Sequence, residues 1–280
     1  MHDFAKWLAA GAIVSVGALW VGDAPAQSFA GSGNGVAAMG TGVAVNVQAR
    51  PTAAEIVARM LDRNKERLAE LEHYESERTY RVEYTGTGGE HHAQLEVHAV
   101  YTGPNQKQFT VVSESGSKFL CDKVLRKLVE GEQEATAKAN RTQTTLGPEN
   151  YEAELTGEET IATTGGAVRT WVLRVTPKVN NKFTYRGRVW VSEDDYAAVR
   201  IQGEPAKSPS WWINRASFES MYLRRGDVWL PAKNVSSSHV RIGGEARLTI
   251  EYGTYPVVAL RALKPAYGSA ENGARTVVLR

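Results

Sequence analysis

Several groups of residues in this chain are of types that do chemistry, and their spacing decides what each can do. His91, His92 and His98 stand near Glu90 and Glu96, a set that in another arrangement could hold a metal. On a strand, His92, Gln94, Glu96 and His98 share one face at roughly 6.6 Å per two residues, which sets His92 and Glu96 about 13 Å apart. That is too far to share one ion, so the set reads as a solvated polar face. Ser238 and His239 are neighbours on a strand and point to opposite faces, so they cannot serve each other as nucleophile and base. Asp194-Asp195 fall in a hairpin turn, where Asp serves turn geometry. The single cysteine, Cys121, excludes a disulfide framework and a Cys-based zinc site, and beside an apolar stripe it reads as a small buried residue. Gly33-Asn34-Gly35-Val36-Ala37-Ala38 fits a dinucleotide fingerprint by letters. That fingerprint needs a strand before it and a helix after it, and Gly40-Thr41-Gly42 follows instead. The chain carries no G-x-S-x-G, H-E-x-x-H or phosphate-loop sequence. What remains is binding without a cofactor or metal.

Two apolar sets are the binding candidates. Trp171, Phe183, Tyr185, Trp190, Trp211, Trp212, Phe218 and Trp229 gather in the strand-rich second half and could wall a cavity. Trp211 and Trp212 follow a loop with two prolines, Pro205 and Pro209, and could sit at a mouth. Leu120, Val124, Leu125 and Leu128 repeat at helical spacing and could form a lid face. All of these also suit an ordinary core.

The elements that must place them are few. Thr52-Ala53-Ala54-Glu55 after Pro51 is a capping box, and Ile56, Val57, Met60, Leu61, Leu68 and Leu71 follow as one stripe. A second helix is expected from about 118 to 139, with Phe119 in its stripe and a solvated extension after Gly131 that includes Glu132. Most of the rest alternates apolar and polar residues, as in Ala93, Leu95, Val97, Ala99 and Tyr101. Ten strands are expected, joined by short turns such as Gly165-Gly166 and Arg225-Gly226-Asp227. The fold class is therefore α+β: a strongly curved antiparallel sheet, an incomplete barrel, with two main helices on its concave side. A sheet that wide curls, and two helices cannot fill it, so an apolar cavity is expected between helices and sheet.

Composition limits the partners. The chain has 280 residues, a formal charge of +2 and 42% apolar residues, which gives no electrostatic case for nucleic acid. Residues 1–26 read as a signal peptide: Lys6, an apolar run from Trp7 to Val21, and Ala24-Pro25-Ala26 as a cleavage site. Residues 27–50 read as a flexible leader, 51–258 as the binding domain and 259–280 as a tail. The expected location is the periplasm.

The segments Pro148-Glu149-Asn150-Tyr151, Arg186-Gly187-Arg188-Val189-Trp190-Val191, Ile201-Gln202-Gly203-Glu204-Pro205-Ala206-Lys207, Trp229-Leu230-Pro231 and Leu248-Thr249-Ile250-Glu251-Tyr252 resemble outer-membrane lipoprotein-sorting proteins of the LolA/LolB/RseB-like superfamily. The resemblance spans roughly residues 52–256. It implies an incomplete barrel with helices over its open side, and a cavity that receives lipid acyl chains or lipoproteins. No cysteine for lipid attachment follows the apolar run, so the soluble carrier branch fits best. The RseB-like branch implies instead a sensor that binds a membrane-protein regulator. The resemblance assigns no site residue.

Overall fold

The computed structural model describes residues 50–86, 88–103, 106–135, 145–181, 183–207, 213–240 and 243–260. The expected signal peptide, the fingerprint-like glycines, Trp211, Trp212 and most of the C-terminal tail lie outside these residues.

Helix α1 (Ala53–Glu70) begins as its sequence dictates. The Thr52 N–H donates to Glu55 Oε2 at 2.8 Å, and the Glu55 N–H donates to Thr52 Oγ1 at 3.3 Å. These bonds satisfy two of the four donors that a helix start leaves unpaired. Thr52→Ala is expected to cost about 1 kcal/mol in chemical denaturation. Ile56, Val57, Met60 and Asn64 are buried along one face. The helix ends abruptly: Leu71 is extended, its N–H caps the Arg67 carbonyl, and it is already the first residue of a strand. Leu71 therefore closes the stripe from the strand side and not as part of the helix.

Strand β1 (Leu71–Gly86) is followed by β2 (Gly89–Thr102) and β3 (Gln106–Gly116). A helical segment comes next: α2 (Lys118–Leu120), a π-helical turn (Cys121–Leu125) and α3 (Arg126–Ala135). Then come β4 (Tyr151–Thr163), β5 (Gly166–Pro177), β6 (Tyr185–Ser192), β7 (Ala198–Pro205), β8 (Ile213–Arg225), β9 (Val228–Val240), β10 (Gly244–Tyr252) and β11 (Val257–Leu260). The strands form one antiparallel sheet in the order β3-β2-β1-β10-β9-β8-β7-β6-β5-β4. Its path is open, with β3 and β4 at the ends. β11, unforeseen from the sequence, pairs with the first half of β1, where it takes over the edge that β10 leaves.

Alternation places the side chains. On β1, Tyr74, Ser76, Arg78, Tyr80 and Val82 are buried; on β2, Ala93, Leu95, Val97, Ala99 and Tyr101 are. Cross-strand register carries that face to β10, since Tyr80 faces Ile250 and Val82 faces Leu248. Two cores result. One joins β1, β2, β10 and the start of β9 to Leu120, Cys121, Val124, Leu125, Leu128 and Val129. The other joins β4 to β8 to Ile56, Val57 and Met60 of α1. The π-helical turn keeps Leu120, Cys121, Val124 and Leu125 all on the buried side, while Lys123 and Lys127 stay exposed. Two details differ from expectation. Phe119 is 38% exposed, outside the packed stripe, and Glu132 is buried.

Candidate functional site

A cleft opens where the two cores meet. Its α1 wall is Asn64, Arg67 and Leu68, and its floor includes Leu71, Tyr74 and Tyr101. Trp229, Leu230 and Pro231 of β9 form the opposite wall, and Lys107 of β3 also reaches it. Rings and aliphatic chains dominate, with a few polar groups, which is the character of a small-ligand site. Its volume is about 70 Å³. Sites that enclose whole ligands run to roughly 300–1,000 Å³, so the cleft as it stands takes a few water-sized groups and not a long acyl chain.

Two polar junctions flank the cleft, the first buried and the second partly so. At the first, Glu132 of α3 receives hydrogen bonds from Arg78 Nη1 at 2.7 Å, Tyr80 Oη at 3.0 Å and Lys107 Nζ at 3.2 Å. Arg78 also lies 4.8 Å from the Tyr252 ring centroid and 5.3 Å from that of Phe109. Burial pushes the Glu132 carboxyl up, but Arg78 and Lys107 more than reverse this and hold it at about 2. Burial, with the Glu132 charge beside it, keeps the Tyr80 phenol protonated far above its ordinary range.

The second junction is the turn between β6 and β7. Trp229 Nε1 donates to Asp195 Oδ2 at 2.7 Å, and the Ala197 N–H donates to Oδ1 at 3.3 Å. Arg67 of α1 donates to the Asp195 carbonyl and pairs with its carboxylate at 3.4 Å. Burial raises the Asp195 carboxyl, while the bonds from Trp229 and Ser192 and the Arg67 charge bring it below its ordinary value. The next residue, Tyr196, has φ of 57°, a left-handed backbone that a bulky side chain rarely adopts. Arg59 holds it from α1 by a 2.7 Å bond to its hydroxyl, and Trp171 packs on its ring at 5.0 Å. Asp195 thus ties α1 to β9 across the mouth of the cleft.

The candidate residues divide between the two cores. Leu120, Val124, Leu125 and Leu128 pack in the first, against β1, β2 and β10. Trp171, Tyr185, Trp190 and Trp229 pack in the second, and Phe183 is buried outside both clusters. Among the described candidates, only Trp229 lines the cleft. Trp190 turns to the other face of β6, where its Nε1 donates to Glu159 at 2.8 Å and Arg188 and Arg200 flank its ring. His92 is exposed, His98 is bonded to Glu77 at 2.7 Å, and no metal-holding group of three His, Cys, Asp or Glu occurs among the described residues. Cys121 is buried, and burial raises its thiol pKa.

Sequence reasoning missed Arg78, Glu132, Arg67 and Asp195 as functional residues. Signals for three of them were present. Arg78 falls in phase with Tyr74, Ser76 and Tyr80. Glu132 falls four residues after Leu128, and Arg67 seven after Met60.

Neither a family model nor a curated protein matches the chain. Solved structures do. A LolA superfamily protein from Nitrosomonas europaea shares 12% identity over 77% of this chain and 96% of that one, with a TM-score of 0.31. An outer membrane lipoprotein-sorting protein domain from Vibrio parahaemolyticus shares 12% over 71% and 92%, with a TM-score of 0.32. MucB, solved also with MucA from Pseudomonas aeruginosa, shares 12% over 72% and 92%, with a TM-score of 0.26. The likeness is to LolA-type folds. With TM-scores below 0.5, function rests on the chain's own residues.

Proposed function

We propose that the protein is a periplasmic, non-enzymatic carrier that lodges a lipid acyl chain, free or on a lipoprotein, between its helices and the inner face of its sheet. In this reading α1 and the α2–α3 segment lie on the concave side, and residues 1–26 are an export signal cut after Ala26. The observation that carries the proposal is the apolar cleft at the seam of two separately packed cores. The two sets of buried side chains form separate clusters, and this reading requires the seam between them to widen. Burying a chain gains about 0.8 kcal/mol per CH₂, so roughly 14 carbons gain on the order of 10 kcal/mol before the cost of opening. Trp229 is the cleft-lining candidate, and Leu120, Val124, Leu125 and Leu128 line the path once the seam parts. No described helix is long and apolar enough to cross a membrane.

Gentle purification followed by mass spectrometry is expected to find bound lipid. The delipidated protein is expected to brighten an apolar dye such as 1-N-phenylnaphthylamine, and Trp229→Ala to weaken that binding several-fold. A protein that carries no lipid and leaves the dye dark overturns the reading.

A second reading, a module that binds a membrane-protein regulator, has one observation in its favour. β3 pairs on one side only among the described strands, with Val112 61% exposed on it. Such an edge accepts another strand.

A further inference from the structure

The cleft between the two cores has a charge character as well as an apolar one. Among the described residues that line it, Arg67 and Lys107 carry charge and none is a carboxylate. The counterions stand behind the lining: Asp195 pairs with Arg67 at 3.4 Å and Glu132 with Lys107 at 3.2 Å. Each cation is thus anchored by an acid that is not itself part of the wall. Arg63 and Arg224 add to the positive field at Arg67, against Asp195 and Glu66.

The hydrogen bonds of the wall lean the same way. Arg67 Nη1 donates to Asn64 Oδ1 at 3.1 Å. A guanidinium can only donate, so the Asn64 amide turns its oxygen to the arginine and keeps its two N–H groups over. Those N–H groups make no hydrogen bond within the protein. Arg67 bonds through Nη1 and Nη2, and its Nε–H makes none either. Neither nitrogen is sealed in the interior. On the opposite wall the Pro231 carbonyl already accepts from Tyr255 at 2.7 Å. The α1 side of the cleft therefore has donors to give, two of them on a cation. The space is also of a definite size. About 70 Å³ holds two or three waters at roughly 30 Å³ each, and a carboxylate has three heavy atoms.

Resting on the carrier reading above, we propose that the cleft receives the carboxylate of a free fatty acid, with the hydrocarbon in the widened seam. Arg67 Nε and Asn64 Nδ2 donate to the carboxylate from α1, and the Lys107 ammonium faces it from β3. Hydrogen bonds between ionised partners are the strong ones, and here the cations are held in place before the ligand arrives. An acyl chain joined through an ester or amide has no charge to meet them. A phosphate head group has five heavy atoms before its ester substituent is counted, and overfills the space. The protein therefore selects free acids over esterified chains, as polar sites reject analogues that leave their groups unpaired.

The test uses the full-length mature protein and displacement of the bound dye by three probes of equal chain length, at about pH 8, where a carboxylic acid is ionised. The probes are dodecanoate, methyl dodecanoate and dodecyl phosphate, each below the concentration at which it forms micelles. Dodecanoate is expected to bind on the order of tenfold tighter than either of the others. Asn64→Leu and Lys107→Met are each expected to shrink the ratio of acid to ester affinity several-fold. The three-probe comparison on the unaltered chain stands even if a variant fails to fold. Equal affinities for acid and ester overturn the head-group proposal and leave the carrier reading standing. Dodecyl phosphate binding as tightly as dodecanoate overturns the choice of carboxylate. A ratio that survives in both variants overturns the assignment to this cleft. Failure of every probe to displace the dye, or of the dye to bind at all, overturns the carrier reading and the head-group proposal with it.

Discussion

Glu132→Ala is expected to lower the folding free energy by about 3–5 kcal/mol, because it leaves the Arg78 and Lys107 cations buried without the carboxylate that both touch. Breaking one partner of such a cluster costs far more than the cluster is worth as a whole. Urea denaturation of the two proteins reads the effect directly. Replacing Glu132 and Arg78 together by apolar residues should therefore recover part of the loss. The same carboxylate sets an acid limit. Its folded pKa of about 2 lies below the ordinary 4.5. Its stabilising contribution is complete above pH 4.5 and drains away as the pH falls through 2. A midpoint that stays flat from pH 5 to 2 would remove Glu132 from the account.

Asp195→Ala is expected to cost about 2–3 kcal/mol, since the Trp229 indole loses a charged acceptor and Arg67 loses its counterion. Its effect on the cleft is the more telling part. With the tie between α1 and β9 cut, the apolar dye should enter several-fold faster, read by stopped-flow fluorescence. Lower stability with an unchanged entry rate would show that the junction braces the fold but does not govern the mouth.

The sheet was legible in the sequence because period-two alternation survives wherever one face is dry. The run from Ala93 to Tyr101 and the run from Leu248 to Tyr252 needed no tertiary information. Helix α1 was legible because its capping box and stripe agree. The site was less so, for a physical reason. Residues such as Trp171 and Trp190 have the composition of a cavity wall, yet ring size says nothing about which face of a strand a ring takes or whether a neighbour fills the space beside it. Trp190 is the clear case, packed between two arginines on the face away from the cleft. A charged residue reads as solvated by default, which conceals buried ones such as Arg78 and Glu132. Their helical and strand phases pointed inward all along. Asp195 had no such signal: its partners come from α1 and β9, and turn chemistry alone accounts for an Asp there.

The join between α1 and β1 has no slack. Leu71 caps the helix and starts the strand, and the rungs that follow it, from His73 to Glu75, are shared with β11. A wall that swings outward to admit cargo must therefore tug on those rungs. In the proposed carrier, β11 would act as a strain gauge, its grip on β1 changing with whatever fills the hollow some distance away.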